Sequence, residues 1–126
     1  MSRHTVVWLD QHEATVLELE PDDFEASIVR APGRHLHRHP KGATEAKHHP
    51  DDLKHFFHDL AQALSSAKEI LLVGPGAAKL HFIKYVHKNA HDLEPKIIGV
   101  ETVDHPSDAQ LAAHARRYFL AADRMR

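Results

Sequence analysis

After residue 50, the apolar residues of this chain alternate between two spacings, and this alternation restricts the fold more than any other feature. Three stretches have the i, i+3, i+4, i+7 spacing of amphipathic helices: residues 50–67, 77–93 and 107–123. Short apolar runs at 69–74 and 96–101 separate them. Strands that are separated by helices are expected to be parallel, with right-handed crossovers. The second half of the chain therefore predicts a parallel α/β arrangement.

The helical spacing also predicts which side of each helix faces the core. In the first helix, with Pro50 at its first position, the inward residues are Leu53, Phe56, Phe57, Leu60 and Leu64. In the second helix they are Leu80, Ile83, Val86 and Ala90. Ser107 with Gln110 three residues later is the sequence pattern of a capping box, so the third helix is expected to begin there.

The first 30 residues have a different pattern, that of consecutive strands joined by short turns. Three strands are expected, at 5–10, 14–20 and 24–30. The first is nearly all apolar, which is typical of a strand buried on both faces. The third places Phe24, Ala26 and Ile28 on one face. The whole chain, residues 1–126, is thus predicted to be one α/β domain with an RNase H-like three-layer fold. Its mixed five-stranded sheet follows from the order β-β-β-α-β-α-β-α.

The chain of 126 residues contains no cysteine, which excludes disulfides and thiolate zinc sites. Its N-terminus lacks the apolar run and small-residue cleavage site of a signal peptide. No stretch approaches the roughly 20 apolar residues that span a bilayer. We therefore expect a cytoplasmic protein with no membrane partner. The sequence is compatible with a homo-oligomer as well as with a monomer.

A basic, histidine-rich loop at about 31–49 separates the three strands from the first helix. From Arg30 to His49 there are five Arg or Lys residues and one Glu, a net charge of +4. Because the whole chain has a net charge of −2, the remainder has −6. The loop also contains five histidines, which titrate near pH 6.5. Such a patch on an acidic body is typical of a contact with nucleic acid, or of a solvated loop with no partner.

Metal binding is the second interpretation of this loop. His35, His37 and His39 alternate, so an extended chain places all three imidazoles on one side. Imidazole suits zinc, nickel or copper, and Zn or Ni is the candidate cofactor. Asp51, His55 and His58 share one face of the following helix and could add ligands. The spacing matches no zinc signature, so a nucleic-acid contact stays the preferred interpretation.

Two further segments bear on chemistry. "GPGAAK" at 74–79 lies between a strand and a helix, where free backbone N–H groups and Lys79 could hold a phosphate of RNA. The alternative is a tight turn that needs glycine for steric reasons. A two-metal nuclease would use Asp10 with Asp51 or Asp52, but Gly74 begins the segment where a third carboxylate is needed. Asp10 is therefore expected to form a turn.

The segments "VVWLDQHEATVLEL", "LLVGPGAAK" and "IIGVETVDHPSDAQLAAHARRYF", with a basic loop after the third strand, carry a family resemblance. The chain resembles the central domain of archaeal and eukaryotic class-1 peptide-release factors and of Pelota. It is similar to small bacterial stand-alone proteins of this translational machinery superfamily. The resemblance covers nearly the whole chain and implies a ribosomal partner, with rRNA or tRNA as the contact.

In the release factors, the matching loop bears a Gly-Gly-Gln motif that promotes hydrolysis of peptidyl-tRNA. Here Gly42 matches one glycine at most, and the loop has no glutamine. The resemblance therefore implies a non-catalytic RNA-binding protein, with residual peptidyl-tRNA hydrolase or nuclease activity as the less favoured alternative. The residues expected to contact RNA are Arg34, His35, His37, Arg38, His39, Lys41, Gly42, Lys47 and Lys79.

Overall fold

The computed structural model describes residues 4–31 and 50–125, with the backbone alone for 50–52. Within these ranges the chain forms β1 (His4–Leu9), β2 (Glu13–Leu19), β3 (Phe24–Arg30), α1 (Pro50–Ala63), β4 (Glu69–Gly74), α2 (Ala78–Asn89), β5 (Ile97–Thr102) and α3 (Asp108–Arg124). A short 3-10 helix, Glu94–Lys96, precedes β5. This order confirms the predicted α/β fold.

The described strands form one mixed sheet with the order β3-β2-β1-β4-β5. β2 is antiparallel to β1 and to β3, whereas β1, β4 and β5 are parallel. Four strands therefore end at the same edge, which we call the carboxyl edge; their last residues are Leu9, Arg30, Gly74 and Thr102. The opposite edge, where β1 and β4 begin, is the amino edge.

Two apolar clusters cover the two faces of the sheet. On one face, Val7 and Leu9 of β1 pack in a cluster with residues of α1 and α2. On the other face, Val6 and Trp8 pack with α3. All four side chains are nearly inaccessible to solvent, which confirms the prediction that β1 is buried on both faces.

The helix faces agree with the sequence pattern in α1 and, apart from Leu80, in α2, where Ile83, Val86 and Ala90 pack in the core. Four of the five residues predicted inward in α1 are buried and Leu53 is half-buried. In α2, Val86 is fully buried, but the prediction for Leu80 was wrong, since it is 53% exposed. Phe82 and Lys79 are buried instead. The side chains of successive helical residues point about 100° apart around the helix axis. A small rotation of α2 about this axis therefore turns Leu80 toward solvent and brings Lys79 and Phe82 into the core.

β3 is one of the two edge strands of the sheet, and it is less buried than its apolar residues predict. Phe24 packs against the α3 cluster, but Ala26 is exposed and Ile28 is 49% exposed. A contact from α3 accompanies the packing of Phe24. The Arg116 guanidinium donates to the carbonyl oxygen of Glu20 at 2.9 Å and to that of Asp23. These hydrogen bonds join α3 to the turn that precedes β3.

The capping box predicted for α3 is present. The N–H of Gln110 donates to Ser107 Oγ at 3.1 Å, and the N–H of Ser107 donates to Gln110 Oε1 at 3.0 Å. These two bonds satisfy backbone donors that the first turn of a helix leaves free. Within the described ranges, no helix has the length and apolar character needed to cross a membrane.

Candidate nucleic-acid interface at the carboxyl edge

Both ends of the His-rich segment lie at the carboxyl edge. At its start, buried Ala31 donates its N–H to the carbonyl oxygen of His12 at 2.8 Å, next to the turn between β1 and β2. At its end, α1 begins with Pro50. α1 is about 21 Å long, close to the roughly 20 Å height of a six-residue strand. Because β4 starts at the amino edge directly after α1, the first turn of α1 lies at the carboxyl edge.

Asp10 organises the turn that supports this edge. Its Oδ1 accepts hydrogen bonds from the backbone N–H groups of His12 at 2.8 Å and Glu13 at 2.9 Å. The Asp10 N–H donates to the carbonyl oxygen of Glu13 at 3.0 Å. This geometry is that of an Asx turn closing a short hairpin. The expectation that Asp10 is a turn former is therefore confirmed.

The second turn of the edge follows β4 and contains Gly74 and Gly76. A Cβ on Gly74 would lie 2.1 Å from the carbonyl oxygen of Leu9, so only glycine fits beside β1 at this point. Lys79 is 5% exposed, and its ammonium donates to the carbonyl oxygens of Gly74 at 2.9 Å and Gly76 at 2.6 Å. The charge of Lys79 is thus directed into the turn, as the alternative of a structural turn requires, and a contact of Lys79 with phosphate stays a prediction.

The third connection of the edge joins β5 to α3. Trp8 Nε1 donates to the carbonyl oxygen of Asp104 at 2.6 Å, and its ring stacks on His105 with centroids 4.1 Å apart. Trp8 is 3% exposed, whereas His105 is exposed. The imidazole therefore covers the indole with one face and presents the other to solvent. Sequence reasoning missed this pair, because residues 8 and 105 are brought together only by the sheet.

A shallow cavity of about 280 Å³ lies beside this stacked pair. The exposed surface of its lining is mostly apolar, and His105 and His114 are among the lining residues. His114 Nε2 lies 2.6 Å from Glu101 Oε1 and is partly buried. The carboxylate orients the His114 ring. The carboxyl edge thus combines two imidazoles with an apolar recess.

The described part of the carboxyl edge has little net positive charge. Arg30 Nε lies 3.6 Å from Glu13 Oε1, and Asp10 and Asp104 lie at the same edge. The cations expected to contact phosphate belong to the loop. The predicted RNA contacts Arg34, His35, His37, Arg38, His39, Lys41, Gly42 and Lys47 lie outside the described residues. The metal interpretation of His35, His37 and His39 stays a prediction for the same reason.

The helix residues that could add ligands to such a metal site are only partly described. His55 and His58 are exposed on α1. The side chain of Asp51 lies outside the described residues. His58 lines a groove between α1 and α2, where its neighbours include His91 and Asp92. The described residues therefore do not test the metal interpretation of the loop, which stays a prediction.

The fold and this edge define an RNase H-like α/β domain whose longest connection leaves from the carboxyl edge. Solved structures share the fold across most of the chain. Pelota from Thermoplasma acidophilum matches 94% of this chain with a TM-score of 0.62 at 20% identity. The archaeal translation termination factor aRF1 matches 97% of this chain with a TM-score of 0.56 at 14% identity. Pelota from Archaeoglobus fulgidus matches 82% of this chain with a TM-score of 0.54 at 18% identity.

The chain spans 31%, 38% and 26% of the lengths of these three structures, respectively. The similarity confirms, at the level of the fold, the resemblance to the central domain of Pelota and the release factors. No protein-family model matches the sequence. Among curated proteins, none matches it either.

Proposed function

We propose that this protein is a non-catalytic, translation-related protein that binds the ribosome or its RNA through the His-rich segment 31–49. One observation carries the proposal: both ends of this segment leave the same edge of a sheet that has the fold of a translation termination factor. Two anchored ends reduce the conformational entropy that the segment loses when it binds. A basic loop presented in this way can enter an RNA groove while the acidic body stays outside.

The division of charge supports an electrostatic contact confined to the loop. The body outside residues 30–49 has a net charge of −6 and is repelled by phosphate. The four cations that would pair with phosphates are Arg34, Arg38, Lys41 and Lys47. The histidines at 35, 37 and 39 would stack on unpaired bases, and His105 offers one further ring at the same edge. The acidic body would restrict binding to one orientation.

The carboxyl edge also supports the non-catalytic part of the proposal. The Asp10 carboxylate accepts two hydrogen bonds within its own turn. Gly74 ends β4 at the position where a two-metal nuclease needs a third carboxylate. The segment contains no glutamine, so a Gly-Gly-Gln hydrolase mechanism has no counterpart here. The ribosome, rRNA or tRNA is the partner, and the cytoplasm is the expected location.

The test compares two variants in which four cations are changed to Gln. In the loop variant, the substituted residues are Arg34, Arg38, Lys41 and Lys47. In the body variant, which is the matched control, they are four exposed cations outside the loop: Lys68, Lys84, Lys88 and Arg117. Untagged proteins are sedimented with purified ribosomes through sucrose gradients at several salt concentrations. Four phosphate contacts predict that binding weakens roughly 50- to 150-fold between 50 and 200 mM salt.

The loop variant is expected to stay at the top of the gradient, while the body variant co-sediments like the parent chain. Equal binding by the two variants would exclude the loop as the contact. If the parent chain stays at the top at low salt, and crosslinking recovers neither rRNA nor tRNA, the proposal is wrong. Hydrolysis of peptidyl-tRNA by the parent chain that depends on Gly42 would overturn its non-catalytic part.

A further inference from the structure

Three potential metal ligands meet at the amino edge of the sheet, away from the proposed RNA contact. His4 and Glu69 begin the adjacent parallel strands β1 and β4 and are register partners. Asp123 reaches them from the last turn of α3. His4 Nε2 lies 3.3 Å from Glu69 Oε1 and 3.8 Å from Asp123 Oδ2. Among the residues that the structure describes, this is the only group of three such side chains with all ligand atoms within 4.8 Å.

The imidazole of His4 is fixed with its Nε2 toward the two carboxylates. Its ring stacks on buried Phe119, with centroids 4.2 Å apart and an interplanar angle of 15°. Phe119 and Asp123 are separated by one helical turn, so they lie on the same face of α3. His4 Nε2 is buried and makes no hydrogen bond with the described part of the chain. An imidazole nitrogen held in this way is ready to donate its lone pair to a metal ion.

The charges around His4 favour a cation. Glu69 and Asp123 each bring one negative charge when ionised. Asp123 also lies in the last turn of α3, where the helix dipole is negative and an acidic residue is disfavoured. A divalent ion at this point would be attracted by both carboxylates and by the negative end of α3. A protonated His4 would also be attracted by the carboxylates, and the experiment below separates metal binding from an ion pair.

The donor atoms suit a tetrahedral transition-metal ion. Zinc bonds to His nitrogen and carboxylate oxygen at about 2.0–2.2 Å, which places neighbouring donors about 3.3–3.5 Å apart. The separation of His4 and Glu69 falls in this range, and that of His4 and Asp123 is slightly longer. The Asp123 side chain is 43% exposed, so it has room to move inward and to leave a fourth position open to water. Magnesium and calcium prefer all-oxygen sites and fit less well.

We propose that His4, Glu69 and Asp123 bind a divalent transition-metal ion, with zinc as the probe of choice. The ion would join β1, β4 and the end of α3, and would stabilise the folded chain in proportion to its occupancy. This site is independent of the proposed RNA contact, which lies at the other edge of the sheet.

Zinc binding is tested on untagged, metal-free protein in which all five loop histidines, His35, His37, His39, His48 and His49, are changed to Gln, so that the loop imidazoles do not contribute. Calorimetry and thermal unfolding are followed during zinc addition. We expect one equivalent to bind and Tm to rise until that equivalent is complete. Asp123→Asn, at a partly exposed position, should lower zinc affinity about tenfold or more while leaving the metal-free Tm nearly unchanged. His4→Gln is the second variant, and it should lower the affinity to a similar extent.

Glu94→Gln is the matched control, because Glu94 also lies beside a histidine, with its Oε2 2.9 Å from His87 Nδ1. This variant should bind zinc like the parent. The proposal is overturned if zinc leaves Tm unchanged, or if Asp123→Asn binds zinc as tightly as its parent. It is also overturned if Glu94→Gln loses as much affinity as Asp123→Asn. In those cases the group is an ion pair of His4 with the carboxylates.

Discussion

Trp8 Nε1 donates a 2.6 Å hydrogen bond to the carbonyl oxygen of Asp104, 96 residues away in the chain. This bond fixes the connection between β5 and α3 on the end of β1, and His105 covers the indole at the same point. The central strand and the last helix of the domain are therefore joined at the edge from which the His-rich segment leaves.

Trp8→Phe removes the indole donor and part of a buried ring. We expect the free energy of unfolding to fall by about 1–3 kcal/mol, since a partly buried hydrogen bond is lost and the core loses volume. Urea unfolding followed by far-UV circular dichroism measures the change. His105→Ala, which removes only the exposed stacked ring, should cost about 0.5–1.5 kcal/mol. An unchanged urea midpoint for Trp8→Phe would contradict a structural role for this bond.

His105→Ala has a second readout, because Trp8 is the only tryptophan of the chain. Loss of the stacked imidazole should change the intensity of the tryptophan fluorescence in the folded state. Identical folded-state spectra for parent and variant would show that the two rings are not stacked in solution.

Lys79→Met tests whether the buried ammonium supports the turn or contacts phosphate. The variant keeps most of the side-chain volume but leaves the carbonyl oxygens of Gly74 and Gly76 without this donor. We expect a loss of about 1–3 kcal/mol in the free energy of unfolding. The salt dependence of RNA or ribosome binding should stay the same. A slope reduced by about one phosphate contact, with stability intact, would identify Lys79 as a direct RNA contact.

Gly74→Ala and Gly76→Ala form a matched pair within one turn. A Cβ at residue 74 would meet the Leu9 carbonyl oxygen at 2.1 Å, whereas a Cβ at residue 76 would meet nothing within 4 Å. The first variant should lose about 3 kcal/mol or more, because neither backbone can move aside. The second should change stability by less than about 1 kcal/mol in either direction. Chemical unfolding of both variants measures this, and equal losses would refute the close approach of β1 and β4.

Phe82→Ala and Leu80→Ala test the orientation of α2. Phe82 is fully buried and Leu80 is 53% exposed. The Phe82 variant should lose about 3–5 kcal/mol, as is typical of a deleted core aromatic residue. The Leu80 variant should stay within about 0.5 kcal/mol of the parent. The reverse order, measured by urea unfolding, would mean that α2 presents the face that its apolar pattern predicts.

The error in α2 has a physical explanation in Lys79. Apolar spacing assigns a lysine to the solvent side, so the pattern places Leu80 inward together with Ile83, of which only Ile83 packs against the core. In the structure, two carbonyl oxygens of the preceding turn accept hydrogen bonds from the ammonium and compensate its burial. Lys79 and Phe82, three residues apart, then share the buried face. A polar partner supplied by a neighbouring turn cannot be recognised from apolar spacing.

The sequence by itself determined the element order, the mixed sheet, the burial of β1, the turn at Asp10 and the capping box of α3. These features depend on residues that are close together in the chain, so their spacing and hydrogen-bonding groups can be recognised in the sequence. Only the tertiary structure decided that Trp8 meets His105 and that His4 and Glu69 meet Asp123. Each of these sets comes from elements separated by more than fifty residues, and pairing across the sheet and packing of α3 bring them together. Local sequence patterns carry no information on contacts between residues that are so far apart in the chain. The candidate metal site is therefore recognisable only in the folded structure.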